Sequence, residues 1–127
     1  MNMIVGLGVD LIEIERVKKA HLKHGQRFID RLFTPAEAEY CLRKKDPYPS
    51  LAGRFAAKEA AMKALGTGWR RGVRWVDFEV VRESGGRPTI RLDGEARKIA
   101  EELQVKRIAL SITHTEAQAL AQVIFEG

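Results

Sequence analysis

One acid and three bases on an alanine-rich run are the residues of this chain best equipped for chemistry. The segment Arg54-Phe-Ala-Ala-Lys-Glu-Ala-Ala-Met-Lys-Ala-Leu-Gly-Thr-Gly68 reads as a helix, apolar almost all round, that carries Arg54, Lys58, Glu59 and Lys63. An unpaired buried charge is prohibitively expensive, so each must meet water, a counter-charge, a metal or a charged ligand. A charged ligand accompanied by a cation would satisfy all of them. Leu51, Phe55, Met62 and Leu65 recur at helical intervals as a core stripe. Ala52, Ala56, Glu59, Lys63 and Gly66 form a second stripe beside it, small residues around an ion pair. Such a surface lets a substrate approach while an acid and a base wait on neighbouring turns. Gly66 and Gly68 let the chain leave the helix through positive φ. The purely structural reading is a packed helix with an ordinary Glu59–Lys63 pair and a glycine C-cap.

A second acid lies far away in sequence. In Ile4-Val-Gly-Leu-Gly-Val-Asp-Leu-Ile-Glu-Ile-Glu-Arg16, strand alternation puts Met3, Val5, Leu7 and Val9 on one face and Gly6, Gly8 and Asp10 on the other. Bare glycine in a strand marks close approach of a ligand or of another backbone. Asp10 ends that bare face where strand is expected to turn into helix. Asp10 and Glu13 also have the spacing of a capping box, with Asp10 as N-cap, and the two roles are compatible.

These two segments, GLGVDLIEIER and GRFAAKEAAMKALGTG, together with SITHT at Ser111–Thr115, resemble the holo-[acyl-carrier-protein] synthases, the short bacterial class of 4′-phosphopantetheinyl transferases. The resemblance runs nearly end to end, in the family's order and spacing, and is least distinctive from Val17 to Ser50. It implies transfer of the phosphopantetheine arm of coenzyme A to a serine of apo acyl carrier protein, with release of adenosine 3′,5′-bisphosphate, in fatty acid biosynthesis. It further implies that Asp10 and Glu59 hold Mg2+, with Glu59 also orienting or deprotonating the attacking serine. By the same resemblance Lys63 touches the pyrophosphate, Arg54 contacts the nucleotide phosphates, Gly66 lets coenzyme A come close to the backbone, and Ser111 and His114 bind a coenzyme A phosphate. A homotrimer is implied too, with one subunit bringing Asp10 and Glu59 and its neighbour the Ser111–His114 segment. The strand faces carrying Ala119, Ala121, Val123 and Phe125 are expected to be buried in that assembly.

The chemistry is consistent with these implications. Magnesium keeps several waters and takes only one or two protein carboxylates plus substrate phosphate oxygens. Displacement at a pyrophosphate is catalysed mainly by positioning and charge neutralisation. Nucleophilic Ser–His catalysis is disfavoured, because no third orienting acid accompanies Ser111 and His114.

Composition bounds the rest. A length of 127 residues suits a single domain, 1–127, and 45% hydrophobic residues suit a globule with one core. No apolar run approaches a membrane span, and the start lacks a signal-peptide pattern. A lone Cys41 excludes an intrachain disulfide and points to a reducing cytoplasm. The 22 Lys+Arg against 17 Asp+Glu give a net charge of +5, a modest preference for acidic partners. Arg16, Lys18, Lys19, Lys23, His24, Arg27 and Arg31 crowd one segment with Val17, Leu22, Phe28 and Leu32 as apolar anchors. That suits an acidic helical carrier protein better than nucleic acid, although a solvated amphipathic helix gives the same pattern. Two other functions stay on the table. One is a magnesium-dependent nucleotide pyrophosphohydrolase using the same carboxylates. The other is a non-catalytic RNA-binding module, against which the scattered aromatics argue.

The elements that must position these groups follow from periodicity and turn chemistry. Strands are predicted at about residues 2–9, 75–83, 88–92, 106–113 and 117–125, with Ser84-Gly-Gly-Arg turning the second into the third. Helices are predicted from about Leu11 to Lys23, near Phe28 to Leu32, from a Thr34-Pro35 start to Lys44, from Ser50 to Leu65, and from an Asp93 cap to Gln104. The expected class is α+β, an antiparallel sheet packed against helices.

Overall fold

In the computed structural model, which describes residues 3–67 and 71–127, the chain is α+β as expected. It runs β1 (Ile4–Glu13), α1 (Ile14–His24), α2 (Gln26–Leu32), α3 (Pro35–Leu42), α4 (Tyr48–Leu65), a short 3₁₀ turn (Trp75–Asp77), β2 (Phe78–Arg82), β3 (Pro88–Leu92), α5 (Gly94–Glu102), β4 (Arg107–His114) and β5 (Gln118–Glu126). There are two antiparallel sheets, β1-β5-β4 and the β2-β3 hairpin. Gly68 lies outside the described residues. Among those residues no helix is long and apolar enough to cross a membrane.

The centre of the fold is α4 lying across the three-stranded sheet. Its Ala52, Ala56, Ala57, Ala60 and Ala61 are fully buried. Across the contact stand the bare positions of β1: a Cβ added to Gly8 would sit 1.8 Å from the Ala60 carbonyl oxygen, and one on Gly6 1.9 Å from that of Ala64. The glycine face therefore serves the approach of a backbone, that of α4. Gly8→Ala leaves backbone against backbone with no flexible atom to move aside, and we expect it to cost about 3 kcal/mol. Urea unfolding measures this, and a loss below 1 kcal/mol would mean that α4 shifts freely over the sheet.

Two expectations about β1 and β5 are corrected. The strand does not yield to helix at Asp10. Pairing continues through Leu11↔Leu120 and Ile12↔Ala119 to Glu13↔Gln118, and α1 starts at Ile14. Asp10 is thus a mid-strand residue rather than an N-cap, and the Asp10–Glu13 capping box does not form, because β5 supplies the backbone partners a cap would have supplied. On β5, Ala119, Ala121, Val123 and Phe125 are fully buried within the chain beneath α4. The apolar face left open is the opposite one, with Leu7 54%, Val9 44% and Leu11 56% exposed on β1.

Elsewhere local chemistry decides. Thr34 caps α3 in a reciprocal capping box with Glu37, and Pro35 takes the first helical position. Gly66 ends α4 in the left-handed conformation at φ 83°, its N–H reaching the carbonyls of Met62 and Lys63. The segment predicted as a strand from Trp75 begins instead with the 3₁₀ turn, where Asp77 accepts the Arg74 N–H at 3.0 Å.

Candidate active site

Asp10 and Glu59 reach the same place from opposite elements. Alternation along β1 turns Asp10 to the α4 side, in the row Asp10↔Ala121↔Ile112 across the sheet. Helical spacing turns Glu59 and Lys63, one turn apart, toward β1. Both carboxylates line one cavity of about 270 Å3, walled by Phe28, Phe55, Ile12 and Arg16. Lys63 Nζ donates to Asp10 Oδ1 at 2.9 Å and to the Val9 carbonyl at 3.0 Å. The expected Glu59–Lys63 pair on the helix is replaced by this bridge from helix to strand.

Glu59 also lines a second cavity of about 350 Å3 with an apolar floor of Phe28, Leu32, Phe55 and Trp75 and a basic rim of His24, Arg27 and Arg31. Among the described residues no hydrogen bond or ion pair reaches the Glu59 carboxylate. Burial, with the Asp10 charge added, pushes its carboxyl above the ordinary carboxylate range. A half-buried acid beside a second acid is an arrangement that a cation relieves. No cluster of three or more His, Cys, Asp or Glu suited to a metal occurs among the described residues. Two carboxylates fit a hard ion that keeps waters and takes its remaining ligands from a phosphate, and do not fit a closed structural site.

The other helix charges face elsewhere. Lys58 is fully buried and paired with Glu37 at 2.6 Å, so the expectation that one ligand satisfies all the helix charges is corrected. Arg54 is 8% exposed and stacks on Tyr40, its guanidinium carbon 4.3 Å from the ring centroid. Its Nε is buried without a hydrogen-bond partner among the described residues. Arg43, Lys44 and Arg82 gather around the same ring at 4.5 to 5.5 Å. The Arg82 hydrogen bond holds the Tyr40 phenol below its ordinary range. This cage, rich in cations and favourable to negative charge, is what reading the sequence missed. Arg43 and Lys44 follow Tyr40 at helical spacing and were a usable signal, whereas Arg82 arrives from β2 and left none.

Ser111 faces away from the carboxylates, and His114 lines neither of the two cavities that Glu59 borders. Ser111 lies in the row Val9↔Gln122↔Ser111, on the open face of the sheet away from Asp10. His114 ends β4, exposed, with Nδ1 3.1 Å from the Thr115 carbonyl. The open face carries Leu7, Val9, Leu11, Leu120, Gln122 and Ile124, none of them an aromatic on which a base could stack.

The chain is similar to known proteins along nearly its whole length. A family model described as the 4′-phosphopantetheinyl transferase superfamily matches residues 6–123. The holo-[acyl-carrier-protein] synthase of Solibacter usitatus is 55% identical over 98% of this chain and 100% of its own length. That of Vibrio cholerae is 47% identical over 98% of each. Among solved structures, the holo-[acyl-carrier-protein] synthase of Neisseria meningitidis superposes with a TM-score of 0.89 at 35% identity, covering 98% of this chain and 100% of the other. The Helicobacter pylori enzyme in complex with coenzyme A gives 0.82 at 28% identity, covering 94% and 98%.

Proposed function

This chain belongs to the 4′-phosphopantetheinyl transferase superfamily, and from that premise we propose that it moves the 4′-phosphopantetheine group of coenzyme A onto a serine of apo acyl carrier protein. The observation that carries the proposal is the convergence of Asp10, Glu59 and Lys63, from two distant motifs, at one cavity. In the reaction the serine oxygen bonds to the phosphorus bearing the pantetheine arm. The bond to the other phosphate breaks, adenosine 3′,5′-bisphosphate leaves, and the serine proton passes to a base.

Asp10 and Glu59 would hold a magnesium ion, which when bound supplies charge neutralisation at the diphosphate. Glu59 orients the attacking hydroxyl and stands where it can take the serine proton. Lys63, bridged to Asp10 and one helix turn from Glu59, is placed to meet the leaving phosphate and would be the cation that stabilises it. Arg54 and the cations gathered around Tyr40 form a region favourable to the nucleotide phosphates, which a planar guanidinium suits. Among the described residues nothing lies within 4 Å of where a Cβ on the left-handed Gly66 would be, leaving room for coenzyme A at the backbone.

Because Ser111 lies on the opposite sheet face from Asp10 and His114 lines neither cavity beside Glu59, we assign their phosphate contacts to a neighbouring subunit of a homotrimer. The open apolar face of β1 supports that assembly. The basic face of α1 and α2, with Leu22 69% exposed, suits the acidic carrier. We take residues 1–127 as one catalytic domain working in the cytoplasm, in fatty acid biosynthesis.

The direct test incubates the protein with Mg2+, coenzyme A and apo carrier and weighs the carrier intact. A phosphopantetheine-sized gain is expected, while free phosphopantetheine with an unmodified carrier would indicate hydrolysis. A finer test removes one charge. Lys63→Met is expected to lower kcat by about 10²-fold, the scale of losing one electrostatic contact made in the transition state. Metal affinity should hold or rise, because Asp10 loses its competing cation. Calorimetric titration with Mg2+ reads the affinity, and equal losses in both quantities would remove Lys63 from the leaving-group role.

A further inference from the structure

The interface between α4 and β1 is built almost wholly of small residues. The backbones of Ala60 and Ala64 lie against Gly8 and Gly6, the first inward positions of a strand whose next inward residue is Asp10. Such a contact permits close approach, but it offers few large side chains to interdigitate, and ridges set into grooves are what ordinarily fix how a helix is rotated and how far it slides. Yet the proposed cation site needs that placement fixed, since Asp10 rides on β1 and Glu59 on α4.

The other flank of α4 carries what the small-residue flank lacks. Lys58 is 0% exposed and its ammonium uses all its donors. Nζ gives hydrogen bonds to Glu37 Oε1 and to the Phe78 carbonyl, each at 2.6 Å, and to the Trp75 carbonyl at 3.3 Å. Glu37, 2% exposed, in turn accepts from the Thr34 N–H at 3.0 Å and from the Val80 N–H at 2.9 Å. One ion pair therefore joins the start of α3, the middle of α4 and the stretch from Trp75 to Val80. Trp75 packs edge-on against Phe55 with ring centroids 5.3 Å apart, and both walls border the larger cavity beside Glu59.

We propose that the buried Glu37–Lys58 pair is a positioning device for the reaction, fixing the rotation and register of α4 so that the next residue, Glu59, meets Asp10 at one cation. Lys58 and Glu59 are separated by one peptide bond and about 100° of helix, so whatever fixes one fixes the other. A hydrophobic pair of similar size would fill the same space, but would not tie the helix to chosen carbonyls. Register-setting is the best-attested use of buried polar groups, and here the function that benefits is identified. The inference rests on the reading of Asp10 and Glu59 as a shared cation site.

The test is the double variant Glu37→Gln/Lys58→Met, which removes both buried charges at nearly constant volume. Mn2+ binding to the metal-free protein is followed by electron paramagnetic resonance, and kcat and KM for coenzyme A are measured separately. The Mn2+ dissociation constant is expected to rise about tenfold and kcat to fall tenfold or more, with KM for coenzyme A within twofold, because small misplacements of catalytic groups cost turnover before binding. If the double variant does not fold, Glu37→Gln alone carries the same measurements. Ile99→Ala, emptying a buried site on α5 that lines neither cavity beside Glu59, is the stability control and should leave Mn2+ affinity and kcat unchanged. Values within twofold of the parent in the double variant, or equal losses in Ile99→Ala, overturn the proposal. Should the unaltered protein bind Mn2+ yet modify no carrier, the transferase reading fails while the Mn2+ comparison still decides the role of the pair.

Discussion

Glu59→Gln is expected to reduce carrier modification by on the order of 10³-fold while leaving the fold intact or slightly more stable. The substitution keeps shape and removes charge. Ionised Glu59 sits half-buried beside Asp10 without a hydrogen bond or ion pair among the described residues, so in the metal-free protein its charge is a cost. Its carboxyl binds a proton more tightly folded than unfolded. Stability from this group is therefore fullest at low pH and declines as the pH rises from the ordinary carboxylate range through the raised folded value. The amide carries no such penalty, so at neutral pH the variant should melt no lower than the parent. Affinity for Mg2+ should fall along with turnover, because Asp10 alone, already bridged to Lys63, is a poor site for a divalent ion. Steady-state rates with calorimetric metal titration and thermal melts check all of this together. A variant that turns over within tenfold of the parent would mean that Glu59 neither holds the ion nor handles the serine proton, and the mechanism would need a different acid.

That both acids were legible in the sequence, and the Glu37–Lys58 pair was not, has a physical cause. Gly6, Gly8 and Asp10 alternate on one face of a short stretch, and Glu59 and Lys63 repeat at a helical interval, so each set announces itself through local periodicity. Glu37 and Lys58 are 21 positions apart and meet only because α3 and α4 pack together. Read alone, Lys58 looks like another helix charge awaiting a ligand. The Tyr40 cage divides the same way, with Arg43 and Lys44 local to the ring and Arg54 and Arg82 brought to it by tertiary structure.

The boundaries show the same split between local and distant causes. Thr34-Pro35 and the Gly66 terminus were placed correctly because caps are chosen by the residues next to them. The end of β1 was misplaced by several residues because it is chosen by β5, more than a hundred positions away, whose partner groups keep Asp10 through Glu13 extended despite a good capping spacing. On β5 alternation named the right residues, but burial went the other way from the expected interface. Ala119 and Ala121 are small enough to admit α4 closely, so that face closed on the helix within the chain. The face left for a partner is the one on which β1 places Leu7, Val9 and Leu11.

Leu7→Asp is therefore expected to yield a folded monomer with little activity. Leu7 is 54% exposed in the single chain, so a carboxylate there stays solvated and the fold loses within about 0.5 kcal/mol. In a trimer built on that face the same carboxylate would be buried opposite apolar side chains without a counter-charge, a penalty large enough to dissociate the assembly. Loss of turnover then follows from geometry, since Ser111 lies on the far side of the sheet from Asp10 and cannot complete the site of its own chain. Sedimentation and the carrier-modification assay read the two effects, and a fully active monomer would remove subunit sharing from the account. Mixing makes the same point without breaking the trimer. When Glu59→Gln and His114→Ala subunits are denatured and refolded together in equal amounts, a site is intact only where a subunit with native Glu59 adjoins one with native His114. Random assembly gives that arrangement in about one quarter of sites, so about a quarter of parental activity should return from two nearly inactive proteins. If mixed trimers form but stay as inactive as their parents, all the catalytic groups belong to a single chain and the open sheet face serves some other contact.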